Sequence, residues 1–380
     1  MHKQFIQLRT ELITAFPERT AVIDGTLASI LAGSHVLLIG PPGTAKSALV
    51  RAIAGAFAGR CFSVLMTRYS TPDEIFGPVS LKALDQDRFA RVTTGRLPEA
   101  EFAIIDEIFK SNSAVLNALL GVMNERQFHN DGAIVQCPLV SMFGASNELP
   151  EGKDLEALFD RFLLRFDVPY LLVASNVRSV LTRGAPAVAT RLTMDELRRA
   201  QAQVATVKVT DDTVDALLAI RDTARTEGLA ASDRRWKQSL GLVQASAWLA
   251  GEKATSPEDL GILADSLWRE PKDRPKAARI VGTVCDPASM QSVEILDAAR
   301  EAAAKVAGLK SGDRKQYIAA AAQAVEQFDH QQVRLHDLER TGGRRAKRIV
   351  ADAITEIQGL HAELARAVSA GLGIGLRSVR

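Results

Sequence analysis

The chain reads as an α/β protein with a helical second half, on three observations. Apolar runs near 36–39, 61–66, 101–105, 139–144 and 166–172 alternate with helical segments, which calls for a mostly parallel five-stranded sheet wrapped by helices. Past Val173 the strand signals nearly vanish. Beyond Pro287 the composition shifts toward Ala, Gln and charge. These shifts divide the chain into an α/β core over 1–172, a helical lid over 173–286, an all-α coiled extension over 287–370 and a flexible tail over 371–380.

The first strand, Val36-Leu37-Leu38-Ile39, runs into Gly40-Pro41-Pro42-Gly43-Thr44-Ala45-Lys46-Ser47 and then into the helix-like segment Ala48 to Phe57. Strand, glycine-bearing loop and helix start make a phosphate cradle: loop N–H groups and the helix N-terminus face the anion, and the lysine supplies charge. Gly40 through Ser47, with Leu49 beyond them, are therefore the expected residues binding a nucleoside triphosphate. The usual signature has glycine where Ala45 stands; alanine fits there with a negative φ.

Phe102-Ala103-Ile104-Ile105-Asp106-Glu107 is a buried-strand pattern ending in two acids. Asp106, with Ser47, would hold Mg²⁺, and Glu107 would orient and polarise the attacking water. Leu139 to Asn147 reads as another central strand, placing Asn147 where its amide can donate to the γ-phosphate or to that water. The plainer reading of Asn147 is a cap on the turn Glu148-Leu149-Pro150. Arg161 lies between a helix and the strand that follows. In a ring its guanidinium projects into the neighbour's site, a contribution worth ~10³-fold or more in rate.

Together these motifs resemble the MoxR branch of the AAA+ ATPases, most closely its RavA-type regulatory ATPases, over about residues 1 to 285. The resemblance implies an AAA+ core and lid, ATP and Mg²⁺ as cofactors, a homo-oligomeric, hexameric ring, a protein client, and a partner bearing a von Willebrand A domain. It also implies a sensor 2 arginine in Ser232-Asp233-Arg234-Arg235-Trp236 that reaches back to the γ-phosphate; Arg234 is the first choice and Arg235 its competitor. Thr71 to Pro78, continuing through Arg91 to Leu97, resembles the family's helix-2 insert. Gln127 to Val135, turning at Asn130-Asp131-Gly132, resembles the hairpin ahead of sensor 1. No strand-rich insert matches the one through which longer RavA proteins engage a lysine decarboxylase, so that partner is not carried over.

The lid shows a capping box at Thr193-Met194-Asp195-Glu196, an amphipathic run from Asp233 to Leu249, and a helix start at Ser256-Pro257-Glu258-Asp259 whose face is Leu260, Leu263, Leu267 and Trp268. The extension shows a helix from Ala288 to Leu309. A second seam follows through Ile318, Ala321, Val325, Phe328, Gln332 and Leu335. A third runs through Val350, Ile354, Ile357, His361, Leu364 and Val368. Gln332 and His361 interrupt the seams as register-setting polar residues.

Of 380 residues 47% are hydrophobic and the net charge is +2, so no global field demands nucleic acid or an acidic membrane. The best local patch is Arg340, Arg344, Arg345, Lys347 and Arg348. No run approaches the ~20 apolar residues of a membrane span, and the N-terminus lacks a signal-peptide design, which together point to the cytoplasm. Cys61, Cys137 and Cys285 are far apart and read as reduced core residues. The expected activity is ATP hydrolysis coupled to client remodelling. Its rivals are an ATP-gated scaffold with little hydrolysis and a nucleic-acid-translocating motor.

Overall fold

The computed structural model describes residues 1–150, 152–182, 188–229, 231–309 and 314–372. They form two compact units, Met1–Ala277 and Ala278–Arg380.

The first unit holds a sheet of five parallel strands: β1 (Val36–Ile39), β2 (Cys61–Leu65), β3 (Phe102–Asp106), β6 (Ser141–Ser146) and β7 (Leu164–Asp167). A separate hairpin consists of β4 (Gln127–Asn130) and β5 (Ala133–Gln136). The sheet order is β2-β3-β6-β1-β7. Register aligns the carboxyl ends: Ile39 lies opposite Ser146 and Asp167, and Asp106 opposite Ala145. The loops that leave β1, β3 and β6 therefore emerge side by side at one edge, the place where open parallel sheets bind ligands.

β1 and β6 are buried throughout, which is why β1 is an unbroken apolar run and β6 combines apolar with small residues. β2 is an edge strand, and there the expectation of a core cysteine fails: Cys61 is exposed, while Cys137 and Cys285 are buried. β7 also differs, ending at Asp167 instead of reaching residue 172. Pro169 has no amide hydrogen for a ladder, and its carbonyl accepts from Arg19 Nη2 at 2.5 Å. The Leu172 and Val173 amides donate to the Glu18 carboxylate instead.

The helices expected as a lid do not stand apart from the sheet. Phe5 packs edge-on against Trp248 at 5.4 Å, and Phe57 bridges Phe5 to Phe102. One apolar core thus runs from the sheet through His2–Ala15 and Thr20–Leu31 into Met194–Ala205 and Asp233–Leu249. The capping box at Thr193 and Glu196 forms as its spacing predicts. The segment after Ser256 is a 3₁₀ turn, Pro257–Leu263, that buries Leu260 and Leu263; Leu267 and Trp268 follow them inside.

The second unit packs helices Pro287–Gly308, Arg314–Thr341 and Arg344–Leu372 around Ile295, Ala299, Phe328, Leu335, Val350 and Ile357. On the middle helix the seam runs through Ala321, Ala324, Phe328, Gln331 and Leu335, so the polar interruption is Gln331 and not Gln332. His361 Nε2 lies 3.1 Å from Asp329. The last helix continues through Leu372; the rest of the expected flexible tail, and the side chains of Arg344, Arg345 and Arg348 in the basic patch, lie outside the described residues.

Candidate active site

At the carboxyl edge of the sheet a cavity of about 330 Å³ is lined by Pro42 to Ala48, Leu65, Asp106, Glu107 and Ala145 to Asn147. Gly40 closes the loop against β7: its amide donates to the Ser146 carbonyl, and a Cβ would meet the Val168 carbonyl at 2.4 Å. Gly43 has φ +81° and Ala45 φ 64°, both left-handed. This corrects the expectation of a negative φ at Ala45. The loop must turn its amides inward just before the helix Lys46–Gly55, and an alanine adopts the left-handed turn there at a penalty of roughly 1–2 kcal/mol. Leu49 is 1% exposed in the apolar core, and its side chain anchors the helix and does not line the cavity.

Polar groups from three segments meet at this cavity. Lys46 Nζ donates to the carbonyls of Gly40 and Pro41 and, at 2.9 Å, to Asn147 Oδ1. Asn147 Nδ2 donates to Glu107 Oε1 at 2.5 Å. Ser47 Oγ donates to Asp106 Oδ1 at 2.5 Å, and Arg51 lies 3.3 Å from Asp106 Oδ2. Burial pushes the Lys46 ammonium below its ordinary pKa, against the opposing pull of Glu107 and Asp106. A partly desolvated cation held on three oxygens, at the N-terminus of the helix Lys46–Gly55, suits a polyphosphate. The Ser47 hydroxyl and Asp106 carboxylate supply hard oxygens at one point, as Mg²⁺ requires. Sequence reasoning did not single out Leu65, Ala48, Ala145 or Ser146; Leu65 ends an edge strand and carries no motif.

The arginines gather elsewhere. Arg235 is 3% exposed and donates to the carbonyls of Phe162, Leu163, Ser266 and Asp160 and to the Asp160 carboxylate. Arg234 is exposed. Arg161 is half-buried, and its Nε is enclosed with no hydrogen-bond partner among the described residues. Burial, then repulsion from Arg234, lowers the Arg161 pKa, with Asp160 opposing. Arg161 and Arg234 are thus near neighbours, and neither lines the phosphate cavity of its own chain.

The two insert-like segments interlock. Asn130 accepts from the Arg91 amide at 2.7 Å and donates to the Arg91 carbonyl at 3.1 Å, Arg88 pairs with Asp131, and Phe76 stacks on Phe128 at 5.3 Å.

A central phosphate loop, acids on the next strand and a polar residue ending β6 define a P-loop ATPase domain of the AAA+ class. The chain belongs to the MoxR family: residues 3–209 match the MoxR domain in the MoxR-vWA-beta-propeller ternary systems, and residues 212–281 match an AAA lid domain. The uncharacterized proteins MJ0812 and MJ0079 of Methanocaldococcus jannaschii are each 42% identical to it. The first alignment covers 70% of this chain and 72% of the relative, the second 72% of each. Chaperone MoxR1 of Mycobacterium tuberculosis is 27% identical over 63% of this chain and 67% of its own. A solved structure from Cytophaga hutchinsonii shares the fold with a TM-score of 0.59 at 19% identity, covering 74% of this chain and 93% of that one. Among the described residues no helix is long and apolar enough to cross a membrane.

Proposed function

We propose that the chain hydrolyses Mg-ATP as a ring-forming motor and uses the cycle to remodel or mature a protein client. The observation that carries this reading is the hydrogen-bonded set Lys46, Asn147 and Glu107, with Ser47 and Asp106 beside it, around one cavity.

Lys46 and the loop amides would take the β- and γ-phosphates, and Ser47 and Asp106 would hold Mg²⁺, which supplies charge neutralisation across those oxygens. Asn147 orients the attacking water. Glu107 accepts its proton as the water oxygen bonds to the γ-phosphorus and the bond to the β,γ-bridging oxygen breaks, releasing ADP and phosphate. Arg161 and Arg234 would act on the neighbouring protomer's triphosphate. Their adjacency, and their distance from the cavity of their own chain, support that assignment over one within the chain. The Asp160 carboxylate near Arg161 is already held by Arg235, so the positive charge of Arg161 and Arg234 would welcome an anion.

A partner bearing a von Willebrand A domain is supported by the description of the matched MoxR family. The interlocked inserts give such a partner or a client one firm feature to engage. Purified protein should hydrolyse ATP in a Mg²⁺-dependent way, and Glu107→Gln should abolish turnover while nucleotide still binds. Nucleotide binding with no turnover by the unaltered chain would leave only an ATP-gated scaffold.

A further inference from the structure

We infer that the cavity shared by Phe159, Arg165 and Arg269 is a second anion site, built for a small oxyanion, either free phosphate or a carboxylate. It stands whether or not the chain hydrolyses ATP.

The cavity, of about 260 Å³, is formed by the end of the helix Lys153–Arg161, the start of β7 and the residues after Trp268. It shares no lining residue with the phosphate cavity, and neither Arg161 nor Arg234 lines it. Two arginines in this region are equally buried and unequally satisfied. Arg235 donates to four carbonyls and the Asp160 carboxylate, all between 2.9 and 3.2 Å. Arg165, also 3% exposed, has one short bond, from Nη1 to the Trp268 carbonyl at 2.6 Å. Its Nη2 is 3.4 Å from the Phe159 carbonyl and 3.8 Å from the Asp160 carboxylate, the second too far for a hydrogen bond. Its Nε has no hydrogen-bond partner among the described residues, and the guanidinium lies 4.0 Å from the centre of the Phe159 ring. A desolvated cation with donors to spare, beside open space, lacks an acceptor.

The charge around the cavity has the matching sign. Burial and then the Arg235 charge push the Arg165 pKa well below its ordinary value; Asp160 opposes them and Arg269 adds to them. Arg269 is exposed, lines the cavity and acts on Arg235 as well. Three guanidinium groups thus surround one buried-side carboxylate, Asp160, which Arg235 already holds at 3.0 Å. Of the other two lining carboxylates, Glu270 pairs with Lys272 at 2.7 Å and Glu156 is exposed to solvent. Water would accept a bond from Arg165 but leave the excess charge; an oxyanion answers both.

The test uses the full chain, with potassium phosphate and potassium acetate titrated separately against chloride at constant ionic strength. Amide hydrogen exchange over 156–165 and 266–270 reports this cavity, and exchange over 40–55 reports the phosphate loop, so binding at the two is read apart. An anion that binds here should slow exchange over the first two segments. Arg165→Met, which keeps bulk without charge, should raise the midpoint concentration more than about tenfold, and Arg269→Gln about three- to fivefold. Glu156→Gln should lower it about two- to threefold. Arg269 and Glu156 are exposed, so their variants decide the matter if Arg165→Met fails to fold. Protection by phosphate alone would support the site with free phosphate as its ligand; equal or stronger protection by acetate would support it with a carboxylate. No protection by either anion, or a midpoint unchanged in every variant that folds, would overturn the site and leave water as its occupant.

Discussion

Arg235 donates to both the backbone carbonyl and the carboxylate of Asp160, at 2.9 and 3.0 Å, while Arg234 stays exposed beside Arg161. Two adjacent arginines on the first turn of one helix thus have unlike duties. Arg235 joins that helix to the start of β7, satisfying carbonyls that no ladder reaches; Arg234 is exposed and takes no part in that network. Arg235→Ala should lower stability by roughly 3–5 kcal/mol, since it removes one of the two buried arginines, Arg235 and Arg165, that pair with Asp160 and leaves buried carbonyls without a donor. Arg234→Ala should stay within about 0.5 kcal/mol of the unaltered chain yet weaken hydrolysis. Urea unfolding and turnover, measured on both variants, would separate the two. Equal destabilisation would mean that Arg234 is structural as well.

The phosphate loop carries a strain that can be relieved. Ala45 has φ 64° and ψ 24° at the position preceding the helix. Ala45→Gly removes the left-handed penalty of about 1–2 kcal/mol but adds freedom to the unfolded chain worth about 0.4–1 kcal/mol. The net expectation is stabilisation by roughly 0.5–1 kcal/mol with nucleotide binding retained. Ala45→Val, branched at Cβ, should do the reverse. A Gly variant with a lower denaturation midpoint would show that the alanine methyl makes favourable contacts that outweigh the strain.

Why some of this was legible in the sequence and some was not follows from burial. β1, β3 and β6 are covered on both faces, so each is an apolar run that stops where the chain reaches the ligand edge, and Lys46, Asp106 and Asn147 fall just past those stops. The run after β7 misleads because its apolar residues do not face a core: Leu172 is 84% exposed and Tyr170 58%. A one-residue choice between Arg234 and Arg235, or between Gln331 and Gln332, depends on the rotation of a helix about its axis. Spacing of three and four tolerates either, and only packing against a particular neighbour decides. The merging of the sheet and the later helices into one core was hidden for a different reason. It depends on Phe5 and Trp248, which are 243 positions apart and meet only in the folded chain.

His35 gives a pH dependence that can be isolated. It is fully enclosed: Nδ1 accepts from the Met142 amide, and Nε2 faces the Met123 carbonyl and the Arg126 guanidinium. Burial first, then the Arg126 charge, pushes its pKa down to about 3 from the ordinary 6.5. The unfolded chain therefore takes up a proton below about pH 6.5 that the folded chain refuses. Stability from this group is fully present above pH 6.5 and declines as the pH falls toward 3, by up to roughly 1.4 kcal/mol per pH unit. His35→Asn keeps an acceptor for the Met142 amide but cannot titrate. Its unfolding free energy should be lower at pH 7 and fall less steeply between pH 6.5 and 4.5. Parallel slopes in the two proteins would show that His35 is protonated in the fold.

The shared site makes the sharpest prediction about assembly. Arg161→Ala should bind nucleotide and fail to hydrolyse it, as should Glu107→Gln, each for its own reason. If Arg161 serves the neighbouring protomer, mixing the two variants rebuilds whole sites. An Arg161→Ala chain keeps Glu107, and a Glu107→Gln chain beside it keeps the arginine. In a random equimolar ring about a quarter of interfaces receive that pairing, so turnover should recover to at most about a quarter of the unaltered rate when sites act independently. Recovery should rise and fall with the mixing ratio, peaking near equality, because each intact interface needs one chain of each kind. Absence of recovery at every ratio, in mixtures that light scattering shows to be co-assembled, would place Arg161 in the service of its own subunit and remove the argument for a catalytic interface. Recovery in dilute, monomeric protein would remove it as decisively, since no interface would then be present to rebuild.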